Sequence, residues 1–144
     1  MVLVLLLALG ACGRPAARHP QEPAGSHGKP KPRPRPGPLK VGTIIHGYTT
    51  WYGGNLDGGP TASGERFHKR DLTAAHRSLP FGTLIRVTTD HTHRSVTVRI
   101  NDRGPYGRDR SRILDVSEAA AKRLGIIDAG VAAVTIEILS LPRR

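Results

Sequence analysis

From Lys29 to Pro36 cation and proline alternate strictly, Lys-Pro-Lys-Pro-Arg-Pro-Arg-Pro. Proline fixes φ and removes a backbone donor, so this stretch can join neither a helix interior nor a central strand. Like charges two residues apart repel and extend it further. The wider segment from Gly13 to Lys40 holds eight of the twelve prolines, seven Lys/Arg, one Glu and no aromatic residue. It buries too little to offset its ordering entropy and is expected to be a disordered, Pro-rich tether. At ~3.1 Å per residue in polyproline II it would reach on the order of 85 Å. The chain is thereby divided: a short apolar run precedes the tether, and about 100 residues follow it, enough for one core.

The tether also changes the meaning of the charge. The 144-residue chain carries a formal +11. The tether accounts for +6, and Val41 to Arg144, with 15 Lys/Arg against 10 Asp/Glu, for +5. The foldable part is only mildly basic, which disfavours nucleic acid as its partner. The single cysteine excludes an intrachain disulfide and a Cys-cluster zinc site. His91 and His93 form an H-x-H pair with no third ligand evident, and read as solvated loop residues.

Val2 to Ala11 is apolar but too short to span a bilayer. It suits the hydrophobic region of a secretory signal. It runs into Leu9-Gly10-Ala11-Cys12, which resembles a bacterial lipobox. The expectation is a lipoprotein signal over residues 1–12, lipidation of Cys12 and attachment to a membrane. An exported chain has still less reason to meet nucleic acid.

Residues 41–144 read as mostly β. Val41–Tyr52, Thr83–Thr89, Ser95–Ile100 and Val134–Leu139 are rich in alternating apolar and β-branched residues, and Ile113–Val116 is a short apolar run with one Asp. The second and third are joined by Asp90–Arg94, a polar hairpin loop. Ser117–Leu124 is a helix with Ser117 as N-cap and Gly125 as terminator. Leu72–His76 is expected to form a helical turn capped by Asp71. Short strands with one or two short helices favour a small β-barrel.

Four stretches carry a resemblance: Thr49-Thr50-Trp51-Tyr52-Gly53, Thr61–Phe67 (TASGERF), Leu72–His76 with Leu79–Thr83 (LPFGT), and Val98–Pro105 (VRINDRGP). With Ile113–Ser117 and the Ala-rich helix, they resemble the rare lipoprotein A family of endolytic peptidoglycan transglycosylases. The resemblance spans about residues 44 to 140. It implies a six-stranded double-psi β-barrel and cleavage of the MurNAc–GlcNAc β-1,4 bond without water. The sugar's own C6 hydroxyl closes a 1,6-anhydro ring, and no metal or other cofactor is needed. With Gly13 after the acylated Cys, it also implies an outer-membrane anchor facing the periplasm.

Such a reaction needs an acid for the leaving oxygen and a base for the C6 hydroxyl, roles that one carboxyl can fill in turn. Asp102, just past a strand end and before Gly104-Pro105, matches the family's catalytic Asp. A turn-forming Asp is the plain alternative. Glu65 and His76 also match functional positions of the family. Which carboxyl delivers the first proton is open, and His76 reads almost as well as a packed histidine. Trp51 and Tyr52 could form a sugar-stacking platform, though core packing is at least equal for Trp51. Tyr106 joins them as a candidate substrate contact, and Arg103 could bond a substrate carboxylate.

A wall-loosening module like the expansins shares the Thr-Trp-Tyr-Gly start and would bind polymer without cutting it. Two carboxyls and a histidine together favour an enzyme, since binding alone does not require them.

Overall fold

The computed structural model describes residues 39–143. Cys12 and residues 13–38 of the tether lie outside the described residues.

Six strands close into a barrel: β1 (Ile44–Tyr52), β2 (Thr73–His76), β3 (Leu84–Thr89), β4 (Ser95–Asp102), β5 (Arg112–Ser117) and β6 (Val131–Ser140). Around the barrel the order is β1-β5-β2-β4-β3-β6. β1 runs parallel to β5, and β2 parallel to β4, although neither pair is consecutive in the chain. The other neighbours are antiparallel. Parallel neighbours require connections that cross over rather than turn back. Two long loops, residues 53–72 after β1 and 103–111 after β4, belong to those crossings. This is the double-psi β-barrel that the sequence motifs implied.

The period-two pattern explains which face is buried. Ile85 and Val87 of β3, Val96, Val98 and Ile100 of β4, and Val134, Ile136 and Ile138 of β6 all belong to one buried cluster. Leu114 and Val116 of β5 complete it. Full burial of such side chains contributes about 1.5–3 kcal/mol each. Helix α1 (Glu118–Leu124) packs against β1, β4 and β5 and adds Ala120, Ala121 and Leu124 to the cluster.

The helix ends are as the sequence predicts. Ser117 Oγ accepts from the Ala120 amide at 3.3 Å. Gly125 adopts φ +73°, the left-handed conformation that stops a helix. The β3–β4 hairpin forms around Asp90–Arg94, and His91 and His93 are both exposed there. Among the described residues no cluster of three or more potential metal ligands occurs.

One local expectation fails. Leu72–His76 is not a helical turn: Thr73–His76 is β2, buried at all four positions. It fills the slot between β4 and β5. Four residues cannot hold a helix on their own, and the barrel supplies two ladders at once, so tertiary pairing overrides the alanine preference. Among the described residues, a single 3-10 turn at Gly54–Leu56 is the other short helical piece.

Candidate active site

The site begins with a row across three strands. Ala75 on β2 is paired with Asp102 on β4 and with Asp115 on β5, and Asp115 is paired in turn with Thr50 on β1. Paired residues share a face. Their neighbours Ala74, Ile100 and Val116 belong to the core cluster, so by alternation the row Thr50–Asp115–Ala75–Asp102 faces outward. The two aspartates lie two strand spacings apart, about 10 Å between backbones, with only the Ala75 methyl between them.

A register shift between Ala74 and Ala75 makes this row possible. Ile100 is paired with Ala74 and Asp102 with Ala75, so Asn101 is the extra residue of a bulge. Without the bulge, Asp102 would keep the inward phase of Val98 and Ile100. Bulges re-aim side chains in this way.

The two crossing loops wall the row into a cleft of about 210 Å³, lined by Tyr52, Leu56, Asp102, Arg103, Tyr106 and Asp115 around Ala75. Asp102 Oδ1 accepts two backbone amides, Ala62 at 2.9 Å and Arg103 at 2.8 Å. Its other oxygen receives no bond from the protein among the described residues. Asp115 Oδ1 accepts from Arg112 Nη2 at 2.9 Å and from the Thr50 hydroxyl. Gly104 closes against it: a Cβ there would stand 3.4 Å from Asp115 Oδ2 and 3.6 Å from the Ala75 methyl. Its φ of +148° is one that side-chain-bearing residues rarely adopt.

Tyr52 reaches the floor of the cleft. Its ring packs on Phe67 at 4.6 Å between centroids. Its hydroxyl is buried beside that of Thr73, and neither oxygen completes a full hydrogen bond among the described residues. Burial first, then the charges of Asp102 and Asp115, push its pKa well above the ordinary phenol value. The phenol stays protonated, with the neighbouring Thr73 hydroxyl pulling weakly the other way. Tyr106 is the opposite case, 78% exposed at the cleft mouth with its ring open to a ligand.

The other sequence candidates are placed elsewhere. Trp51 alternates to the inner side, packs on the core and donates its indole N–H to the Ile127 carbonyl at 3.3 Å. It is not among the residues that line the cleft.

Glu65 does not line it either. Arg99 clamps its carboxylate through two bonds, 2.7 and 2.9 Å, and Asn101 Nδ2 adds a third at 3.3 Å. The Arg99 bonds chiefly hold its pKa below the usual carboxylate value. An ionised, paired Glu65 is poorly suited to donate a proton. It does tie the 61–65 turn to β4, and that turn carries the Ala62 amide onto Asp102.

His76 is buried on the core side of β2, opposite Leu114. Its Nδ1 accepts the amides of Ser78 at 3.1 Å and Leu79 at 3.0 Å. Burial, then Arg103 and Arg77, lower its pKa to about 4. It is a neutral bracket for the turn after β2, with no contact to the Asp102 carboxylate.

Arg103 lines the cleft, yet part of its fork is committed. Nη1 donates to the Leu79 carbonyl at 2.9 Å, and the guanidinium lies 3.7 Å over the Phe81 ring. Asp115 is the residue that sequence reasoning missed as a site member. Its signal was present in Ile113–Val116, an apolar run broken by one carboxylate.

The lytic transglycolase family model matches residues 44–136, from the start of β1 into β6. The chain belongs to that family. The probable endolytic peptidoglycan transglycosylase RlpA of Nostoc sp. is 55% identical over 108 residues, 71% of this chain and 29% of that protein. The endolytic peptidoglycan transglycosylase RlpA of Campylobacter jejuni is 41% identical over 101 residues, 70% of this chain and 36% of its own length. The chain thus spans about a third of these curated relatives. Among solved structures, the Streptomyces papain inhibitor superposes with a TM-score of 0.56 at 23% identity, over 71% of this chain and 99% of that one. An expansin of Clavibacter michiganensis gives 0.54 at 24%, over 71% and 53%. Both show the shared barrel. The matched range includes the cleft, its two aspartates and both walls.

Proposed function

We propose that this domain is a peptidoglycan lytic transglycosylase, cutting the MurNAc–GlcNAc β-1,4 bond with formation of a 1,6-anhydro end. The observation that carries the reading is the outward pair Asp102 and Asp115 across Ala75, in a chain of the lytic transglycolase family. Asp102 Oδ1 is occupied by two amides, which leaves Oδ2 to carry a proton. Asp102 gives that proton to the leaving O4 as the C1–O bond breaks. It then takes the proton of the C6 hydroxyl as that oxygen closes on C1, and ends in its starting state. Asp115, paired with Arg112, faces the positive charge that builds on the sugar ring. Tyr52 forms the floor beneath the sugar, and Tyr106 can stack on a sugar face. Glu65 and His76 serve as positioning residues. No cofactor enters the scheme.

The test is mass spectrometry of sacculi, intact and peptide-stripped, after incubation with the full chain. Products ending in 1,6-anhydro-muramic acid, absent with Asp102→Asn, support the reading. Reducing-end products would mean hydrolysis. Binding without any product would mean a wall-gripping module of the expansin kind. The lipid anchor belongs to the same proposal: acylation of Cys12, with outer-membrane attachment facing the periplasm, is supported by Leu9-Gly10-Ala11-Cys12 and the following Gly13. Cys12→Ser should move the protein from membrane to soluble fractions, and unchanged fractionation would remove the anchor.

A further inference from the structure

Beside the cleft runs a second groove of about 400 Å³, on the far side of Tyr106. Three arginines line it, Arg77, Arg103 and Arg110, and no acidic side chain does. It shares Arg103 and Tyr106 with the cleft, so the two form one continuous surface. None of the three arginines takes part in an ion pair among the described residues.

Their hydrogen bonds do not neutralise them. Arg77 donates Nε to the Pro105 carbonyl at 2.7 Å and Nη2 to the Asp109 carbonyl at 2.8 Å. Arg103 donates Nη1 to backbone carbonyls. Both guanidiniums are therefore fixed in place by neutral acceptors, with Nη1 of Arg77 and Nη2 of Arg103 left over. Arg110 is exposed and makes no hydrogen bond among the described residues. Neither nearby acid pairs with them: the Asp109 carboxylate bonds Ser111, and that of Asp102 bonds two backbone amides. Three like charges in one groove repel one another, and an anionic ligand relieves that repulsion. Planar forks held rigidly suit a carboxylate.

We infer that this groove is a carboxylate subsite, taking an acidic substituent of the glycan strand seated in the cleft. The inference rests on the transglycosylase reading for the identity of the strand. Muramic acid carries its lactyl group at C3, within one ring of the reacting C1. When the peptide is removed, that group ends in a free carboxylate. When it is present, the carboxylates lie farther out, on the peptide. The groove makes charge on the strand a determinant of affinity.

The experiment compares three soluble substrates with the full chain: peptide-stripped strands, the same strands with carboxylates capped as methylamides, and peptide-bearing strands. Binding is read by calorimetry and turnover by anhydro products. Capping should weaken wild-type binding about fivefold, the scale of a partly exposed charge pair. Arg110→Gln should bring the ratio of capped to uncapped Kd near one, and Arg110→Glu should invert it. Arg123→Gln, an exposed arginine on α1, should keep the wild-type ratio. A preference confined to stripped strands names the lactyl carboxylate. One confined to peptide-bearing strands names the peptide. Equal wild-type binding of capped and uncapped strands, or equal loss on both with Arg110→Glu, overturns the subsite. Absence of anhydro products with the Kd ratios intact would remove the transglycosylase reading and leave the subsite standing.

Discussion

The two halves of the barrel are built differently. β6 is ten residues long and is clasped by β1 and β3 in extended antiparallel registers. On the other side β2 has four residues, and its parallel ladder to β4 is bulged at Ala74/Ala75. Every carboxylate and tyrosine of the cleft belongs to β1, β5, β4 or the loop after β4, around this short strand. The long half supplies apolar burial and long ladders, shifted in register only between Leu84 and Ile85. The short half gives up regular pairing, and its bulge turns Asp102 outward. Function and stability are thus separated across one small barrel, and each can be perturbed without the other.

The largest effect should come from Asp102→Asn. Asparagine keeps Oδ1 as an acceptor for the Ala62 and Arg103 amides, so the loop stays in place. It cannot carry the proton, and loss of general acid–base catalysis costs about 10²–10⁴ in kcat. The thermal midpoint should move by no more than about 2 °C, since no packing is lost. Retained turnover in a folded variant would sink the assignment. So would a large drop in midpoint, because it would make Asp102 a structural residue.

Ile136→Ala tests the other half. Ile136 is fully buried in β6. Truncation should cost about 2–5 kcal/mol in unfolding free energy, measured by urea titration. The remaining folded protein should turn over at the wild-type rate. A loss of kcat in folded protein would mean that the halves are coupled.

Most of the fold is legible in the sequence because it rests on repeating patterns. Alternation marks β3, β4 and β6, and Ser117 with Gly125 brackets the helix. What escaped is what pairing decides. Thr73–His76 is too short to declare itself, and only the slot between β4 and β5 makes it a strand. The site divides the same way. Asp102, Tyr52, Tyr106 and Arg103 follow from motif residues, and all line the cleft. Trp51, Glu65 and His76 carry equally good motif signals but lie off it. Trp51 and His76 alternate inward, and Arg99 captures Glu65. Asp115 lies 13 positions from Asp102 in the chain and meets it only through β2. No local spacing encodes that meeting.

His76 sharpens the comparison through pH. In the folded state it stays neutral down to about pH 4, whereas the unfolded chain takes up the proton near its ordinary value of 6.5. Between those values the unfolded state binds more protons, so stability rises with pH and is lost as pH falls from 6.5 towards 4. The slope from one such group is at most about 1.4 kcal/mol per pH unit. His76→Asn retains an acceptor for Ser78 and Leu79 and removes the titration. Urea unfolding at pH 4.5, 5.5 and 6.5 should show that part of the slope gone. An unchanged slope would show that this bracket does not govern acid stability.

The smallest effect distinguishes two ion pairs of similar exposure, one in each half. Arg86–Glu137 joins β3 to β6 at 2.8 Å, and Arg99–Glu65 joins β4 to the cleft loop at 2.7 Å. Both are open to solvent, so breaking either should cost about 0–1 kcal/mol of stability. Their effects on turnover should differ. Glu137→Gln touches only a regular ladder and should leave kcat alone. Glu65→Gln loosens the turn that places the Ala62 amide on Asp102, and should lower kcat about tenfold with KM little changed. Glu65→Asp, still able to hold Arg99, should recover part of the rate. If Glu65→Gln abolishes turnover as completely as Asp102→Asn, and Glu65→Asp does not rescue it, Glu65 takes part in the chemistry and the cleft must close further than its present geometry shows.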